Sequence, residues 1–122
     1  MINYLSSNDF KIKYDELYLT HKKHYAFVMF HTAKCKHYSE DYDTFYKTSM
    51  MFQINFCICE IADNREVIWM SEKTLHPIEE VPTFILFLNG EIVAKYEGET
   101  EEDKMTEWLL DIQNKVNYRM KF

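Results

Sequence analysis

Glycine and proline occur only twice each in the chain, and cysteine three times. So little glycine and proline excludes a collagen-like or linker-dominated polypeptide, and each of these residues is expected to mark a particular backbone event. Cys35, Cys57 and Cys59 do not make a disulfide framework, because the count is odd and two of them stand one residue apart. No apolar run approaches the length that crosses a bilayer. The opening Met1-Ile2-Asn3-Tyr4-Leu5 has no basic segment followed by an apolar one, so no secretory leader is read and a reducing cytoplasm is the expected compartment. A long basic stretch is missing too. The 14 basic residues are interleaved with 20 acidic ones for a net charge of -6, which argues against a nucleic-acid surface and for protein or small-molecule partners.

What the chain has in quantity is core-forming side chains. Hydrophobic residues are 47% and aromatics 16% of 122 residues, enough for one domain over residues 1–122 with a core of its own. Asn3 to Leu5 reads as a short strand, Ser6 to Asp9 as a turn or cap cluster, and Asp15 to Thr20 as a weak helix with Leu17 and Tyr18 inward. Tyr25 to His31 has the length and the aromatic and β-branched content of a central buried strand. Behind it Tyr38, Tyr42, Phe45 and Ser49 recur at helical spacing, predicting a helix from Cys35 to about Phe52.

From Ile54 to Ile61 the alternation of Ile54, Phe56 and Ile58 with Asn55, Cys57 and Cys59 predicts a strand. Arg65 to Lys73 reads as a short helix, Thr74 to Glu80 as a loop and Val81 to Leu88 as a second apolar strand. Asn89-Gly90 is a strong hairpin signal, since both central positions of a type I′ turn need positive φ. The partner strand, Glu91 to Glu97, is expected to alternate Ile92, Ala94 and Tyr96 against Val93, Lys95 and Glu97. After Gly98, Thr100 is the expected cap of a last helix, with Asp103 in its first turn and Met105, Trp108, Leu109, Ile112 and Val116 inward. The order predicts an α/β fold: a mixed four- to five-stranded sheet with helices on both faces.

The chemistry concentrates where the central strand ends. Cys35 is placed by this pattern at a helix N-terminus, where the dipole and unpaired N–H groups favour a thiolate, and Lys34 and Lys36 act in the same sense. Cys57 and Cys59, on one face of a strand, read as structural thiols. His31, Cys35 and His37 match no structural zinc spacing, and neither a metal nor another cofactor is expected.

These residues resemble the thioredoxin family over essentially the whole chain. Its pattern is an apolar strand with Phe, then Trp-Cys-x-x-Cys at a helix start, and later a hydrophobic residue, cis-Pro, Thr, a strand, Asn-Gly, a strand and Gly. Phe30, Cys35, Val81-Pro82-Thr83, Asn89-Gly90 and Gly98 match in order. His37 matches the His between the cysteines of protein disulfide isomerase domains. The resemblance implies the thioredoxin fold, a cis Pro82, and a Val81 backbone that pairs with a bound peptide. Lys34 stands at the Trp, Tyr38 at the second, resolving cysteine, and Met29 at an acid that serves that cysteine. It therefore implies a monothiol exchange protein in which Cys35 is the nucleophile, with Lys34, Lys36, His37 and Tyr38 around it and Val81, Pro82 and Thr83 binding substrate. Protein thiols or disulfides and glutathione are the expected partners of a monomer. The alternative is a catalytically inactive binding module on the same fold.

Overall fold

A computed structural model describes residues 1–116; the Val116 side chain, expected inward, lies outside the described residues. Five strands form one sheet in the order β1-β5-β4-β6-β7: β1 Ile2–Leu5, β4 Tyr25–His31, β5 Asn55–Glu60, β6 Thr83–Leu88 and β7 Glu91–Tyr96. The first three run parallel, and β6 and β7 are antiparallel to their neighbours. Among the described residues three α-helices complete the fold: α1 Tyr38–Ser49, α2 Arg65–Glu72 and α3 Glu102–Val116.

Every residue of β4 is buried, as a central strand covered on both faces requires. Alternation then sends its side chains to two separate cores. Tyr25, Phe27 and Met29 join Phe45 of α1 and Met105 and Leu109 of α3 on one face. The Phe27 ring lies 5.7 Å from those of Phe56 and Trp108 and 5.8 Å from Phe45 and Phe84, so this core is aromatic. On the other face, Ala26, Val28 and Phe30 pack with Cys57, Cys59 and Val67 of α2.

That second face has a cover which periodicity did not foresee. The stretch expected as a weak helix is a strand, β3 Glu16–Leu19, paired antiparallel with β2 Phe10–Lys13. The turn between them is Tyr14-Asp15, both at positive φ (54° and 62°). Leu17 and Leu19 are buried at a spacing of two, while Tyr18 is only half-buried. The hairpin docks on the sheet through the Leu19 N–H, which donates to the Gly90 carbonyl at 2.9 Å. Gly90 has φ 89°, and a β-carbon there would come within 2.6 Å of the Leu19 oxygen and of the Tyr18 ring. Asn89 before it, at φ 50°, completes the expected two-residue hairpin turn.

Other details also differ: the strand expected from Val81 begins at Thr83. In β7 the ladder pairs Leu86 with Ala94 but Phe87 with Ile92, so Val93 is an extra residue in a bulge. The strict alternation therefore fails: Ile92 packs on the aliphatic core, and Val93 and Tyr96 on the aromatic one. Helix α3 starts at Glu102, and its first bond runs from the Met105 N–H to the Glu101 carbonyl at 3.0 Å, so Glu101 takes the cap position expected for Thr100. Helix α1 begins three residues after Cys35 rather than at it.

Candidate functional site

Three chain segments leave the sheet at the same end. Strands β4 and β5 arrive there with their C-termini, and antiparallel β6 with its N-terminus, since Phe30 pairs with Thr83. Beyond β4 lie Thr32 to His37, beyond β5 Ile61 and Ala62, and before β6 the Val81–Pro82 bond, which is cis. The fold thus brings Lys34, Cys35, Lys36, His37 and Tyr38 to the end of the sheet that also holds Val81, Pro82 and Thr83. Thr83 is buried and donates its hydroxyl proton to the Glu80 carbonyl at 2.6 Å; Val81 and Pro82 are half-buried.

The turn before α1 is held by its own backbone hydrogen atoms. The Thr32 N–H donates to His31 Nδ1 at 2.8 Å, the Ala33 N–H to Glu60 Oε2 at 2.7 Å and the Lys34 N–H to Thr32 Oγ1 at 3.2 Å. The Cys35 N–H donates to the Thr32 carbonyl at 3.1 Å, and the Cys35 carbonyl accepts from the Tyr38 N–H at 3.1 Å. The expectation that Cys35 opens the helix among unpaired N–H groups is therefore corrected. Helix α1 starts at Tyr38 with His37 as its cap residue, and the N–H groups from Thr32 to Cys35 are all engaged. Each such bond contributes about 1 kcal/mol, so together they fix where the thiol sits. Cys35 is half-buried; Lys34, Lys36 and His37 are exposed around it, and the His37 side chain makes no capping bond.

Two acidic residues that sequence reasoning missed support this turn. Glu60 closes β5 and receives the Ala33 N–H on one oxygen and the Ala62 N–H on the other, at 2.7 and 3.0 Å. Burial works to raise its pKa, but these two donors, the Thr32 hydroxyl and the Lys34 ammonium outweigh it and hold the carboxyl below its ordinary value. Asp41, on the first turn of α1, places Oδ2 2.8 Å from Nε2 of His31. His31 is wholly buried and meets the Tyr38 ring edge-on at a centroid distance of 5.1 Å. Both nitrogens of His31 are thus engaged inside the protein, and it does not converge with Cys35 and His37. A strand-final Glu and a helix-face Asp carry no sequence signal that separates them from solvated acids.

Tyr38 packs between His31 and Tyr42, with ring centroids 5.1 and 6.1 Å away. Burial, then the nearby Tyr4 phenol and Glu60 carboxylate, push its hydroxyl above the usual phenol range, so it is neutral at physiological pH. The other two thiols are elsewhere. Cys57 and Cys59 are free, fully buried among the side chains of the aliphatic core, and burial pushes them up to about 11 and about 12. Beside the Cys35 turn, a cavity of about 470 Å³ is lined by the apolar Ile61, Ile68, Ile78 and Trp69 and by the charged Lys34, Arg65, Glu79 and Glu80.

A profile of the family described as Thioredoxin matches residues 11–111. Among solved structures, human ERp44 form II is similar with a TM-score of 0.70 at 17% identity, over 90% of this chain and 29% of that one. The J-Trx1 fragment of ERdj5 gives 0.67 at 15% identity, over 91% and 49%. A mutant thioredoxin from Halobacterium salinarum NRC-1 gives 0.66 at 14% identity, over 90% and 88%. The chain spans only 31% of the zinc-bound form of human ERp44, to which it is 16% identical. No sequence of a curated protein matches at a significant level. At these identities the structural likeness is one of fold, while the family profile spans most of the chain: the five-stranded mixed sheet with its three helices is the thioredoxin fold, and the chain belongs to the thioredoxin family.

Proposed function

We propose that the protein is a monothiol thiol–disulfide exchange protein in which Cys35 is the nucleophile and Tyr38 occupies the place of the resolving cysteine. The observation that carries this reading is the separation of the thiols: Cys35 lies in a pinned turn at the sheet end that also carries Val81–Pro82, and Cys57 and Cys59 are sealed in the core. In the forward step the Cys35 thiolate attacks one sulfur of a disulfide R–S–S–R′, forming an Sγ–S bond to R while R′–S⁻ leaves and takes a proton from water. A second thiol, R″–SH, then attacks as its thiolate, releasing R–S–S–R″ and returning Cys35. With Tyr38 neutral and no neighbouring thiol, the mixed disulfide waits for that outside thiol.

Protein disulfides are the proposed substrates and glutathione the proposed small thiol, in a reducing compartment, with the protein acting as a monomer. Supporting this, the cavity beside the turn has an apolar wall and is lined by charges of both signs, Lys34 and Arg65 with Glu79 and Glu80, which suits an extended peptide carrying an apolar side chain. Lys34 and Lys36 also favour approach of an anionic thiolate.

The test is kinetic. Iodoacetamide should label Cys35 in the folded protein faster than a free thiol, and disulfide-trapped adducts from cell extract should map to that residue by mass spectrometry. Insulin reduction with dithiothreitol should be slow for the wild type and faster for Tyr38→Cys. A Cys35 that reacts no faster than a free thiol, with no trapped adduct, would leave the fold as a binding module. Brisk insulin reduction by the wild type would refute the assignment of Tyr38.

A further inference from the structure

We propose that His31 is a positioning residue for Cys35: its imidazole, held between the Thr32 backbone and Asp41, fixes the turn that presents the thiol against helix α1. The inference rests on Cys35 being the reacting sulfur.

The geometry fixes the proton. Nδ1 accepts the Thr32 N–H at 2.8 Å, and a nitrogen that accepts cannot carry a hydrogen of its own. The hydrogen of the neutral ring is therefore on Nε2, 2.8 Å from Asp41 Oδ2, and the ring donates there. The His31 ring is wholly buried, so water does not reach either of its nitrogens. The ring thus joins the first residue of the turn to the first helical turn beyond it. Tyr38, where the helix begins, leans on the edge of the same ring.

Thr32 is the residue through which this matters. Its carbonyl accepts the Cys35 N–H at 3.1 Å and its hydroxyl accepts the Lys34 N–H at 3.2 Å. A shift of Thr32 is passed to Cys35 through those two bonds. Exchange needs the three sulfurs of its transition state nearly in line, so a displacement of the nucleophile by an ångström costs rate rather than stability. An ordinary buried histidine would satisfy its nitrogens anywhere; this one satisfies them on the two segments that flank the thiol.

Two near-isosteric variants divide the bridge. Asparagine puts its oxygen where Nδ1 is, so His31→Asn keeps the acceptor for Thr32 and gives up Asp41. Glutamine puts its amide where Nε2 is, so His31→Gln keeps Asp41 and gives up Thr32. With 4,4′-dithiodipyridine as the disulfide probe at neutral pH, His31→Gln should react with Cys35 about tenfold or more slowly, and His31→Asn within about threefold of wild type. Nitrogen NMR of the wild type should show a protonated Nε2 and a bare Nδ1. Amide exchange at Thr32 and Cys35 should quicken in His31→Gln and not in His31→Asn.

Equal probe rates in both variants, or losses that simply follow their melting temperatures, would overturn the proposal and leave His31 as a core residue. A ring protonated on Nδ1 would overturn it without any variant. If wild-type Cys35 ignores the probe while amide exchange still separates the two variants, the monothiol reading fails and the hold of His31 on the turn stands.

Discussion

Cys59 lies directly across the β4–β5 ladder from Phe30, only five residues before Cys35, yet the two thiols live under different rules. Cys35 is on a turn whose amides from Thr32 to Cys35 are all engaged, within reach of solvent and beside two lysines. Cys59 and Cys57 are packed against the aliphatic core beneath α2 and the β2–β3 hairpin. The same side chain is a candidate nucleophile in one place and a small hydrophobic filler in the other. What differs is the face of the sheet and the end of the strand, not the chemistry of sulfur.

The sharpest way to break this contrast is alkylation of the native protein. Cys35 should be modified at least about a thousandfold faster than Cys57 or Cys59, whose reaction waits for unfolding. Mass spectrometry after timed labelling reads the ratio, and comparable rates would dissolve the distinction. Next in size is the alkaline response. Burial raises Cys57 to about 11 and Cys59 to about 12, whereas the unfolded thiols ionise near 9.0. Below that value both states keep their protons and the stability is intact. As pH climbs from about 9 toward 12 the unfolded chain loses protons first, and folding stability falls by several kcal/mol. A Cys57→Ala/Cys59→Ala variant should be less stable at pH 7 but show a flatter decline in urea titrations across that window.

Smaller still, Cys59→Ser places a hydroxyl in an apolar site and should cost about 1–3 kcal/mol by urea unfolding. Cys35→Ser should stay within about 0.5 kcal/mol of wild type, because its site is half open. Between these two falls Glu60→Gln, whose single amide oxygen cannot serve both the Ala33 and Ala62 N–H groups. One lost bond costs about 1 kcal/mol, measurable in the same assay. Since the Glu60 pKa is lowered by folding, that contribution is present above the ordinary carboxylate range near 4.5 and disappears as pH falls through the lowered value, so the variant should also lose part of the acid-side pH dependence.

The strands were legible because β4 and β6 are apolar runs and β5 alternates along its length, and Asn89-Gly90 announced its hairpin. The β2–β3 hairpin was not, because its turn is Tyr14-Asp15, a pair with no glycine that nonetheless takes positive φ. The bulge at Val93 hid for a similar reason: Ile92, Val93 and Ala94 read as an unbroken strand, and only the pairing partners reveal the extra residue. At the site, Cys35 and its neighbours were found from their place after a buried strand. The supports His31, Glu60 and Asp41 were not recognised, since their partners are backbone amides and side chains that only the folded topology brings near. The start of α1 was placed three residues early because aromatic spacing locates a helix face and says nothing of where the first helical bond closes.

The docking of Gly90 has a consequence for how the molecule is built. A molecule with only two glycines places one of them where the outer hairpin rests on the sheet, at the rim opposite Cys35, and a single methyl group there would collide with Tyr18 and the Leu19 oxygen. The lid over the sulfur-containing core is therefore seated by a missing carbon atom. Wedging that seam open from the far rim would expose Cys57 and Cys59 to solvent while the turn bearing Cys35, bolted to other strands, kept its shape.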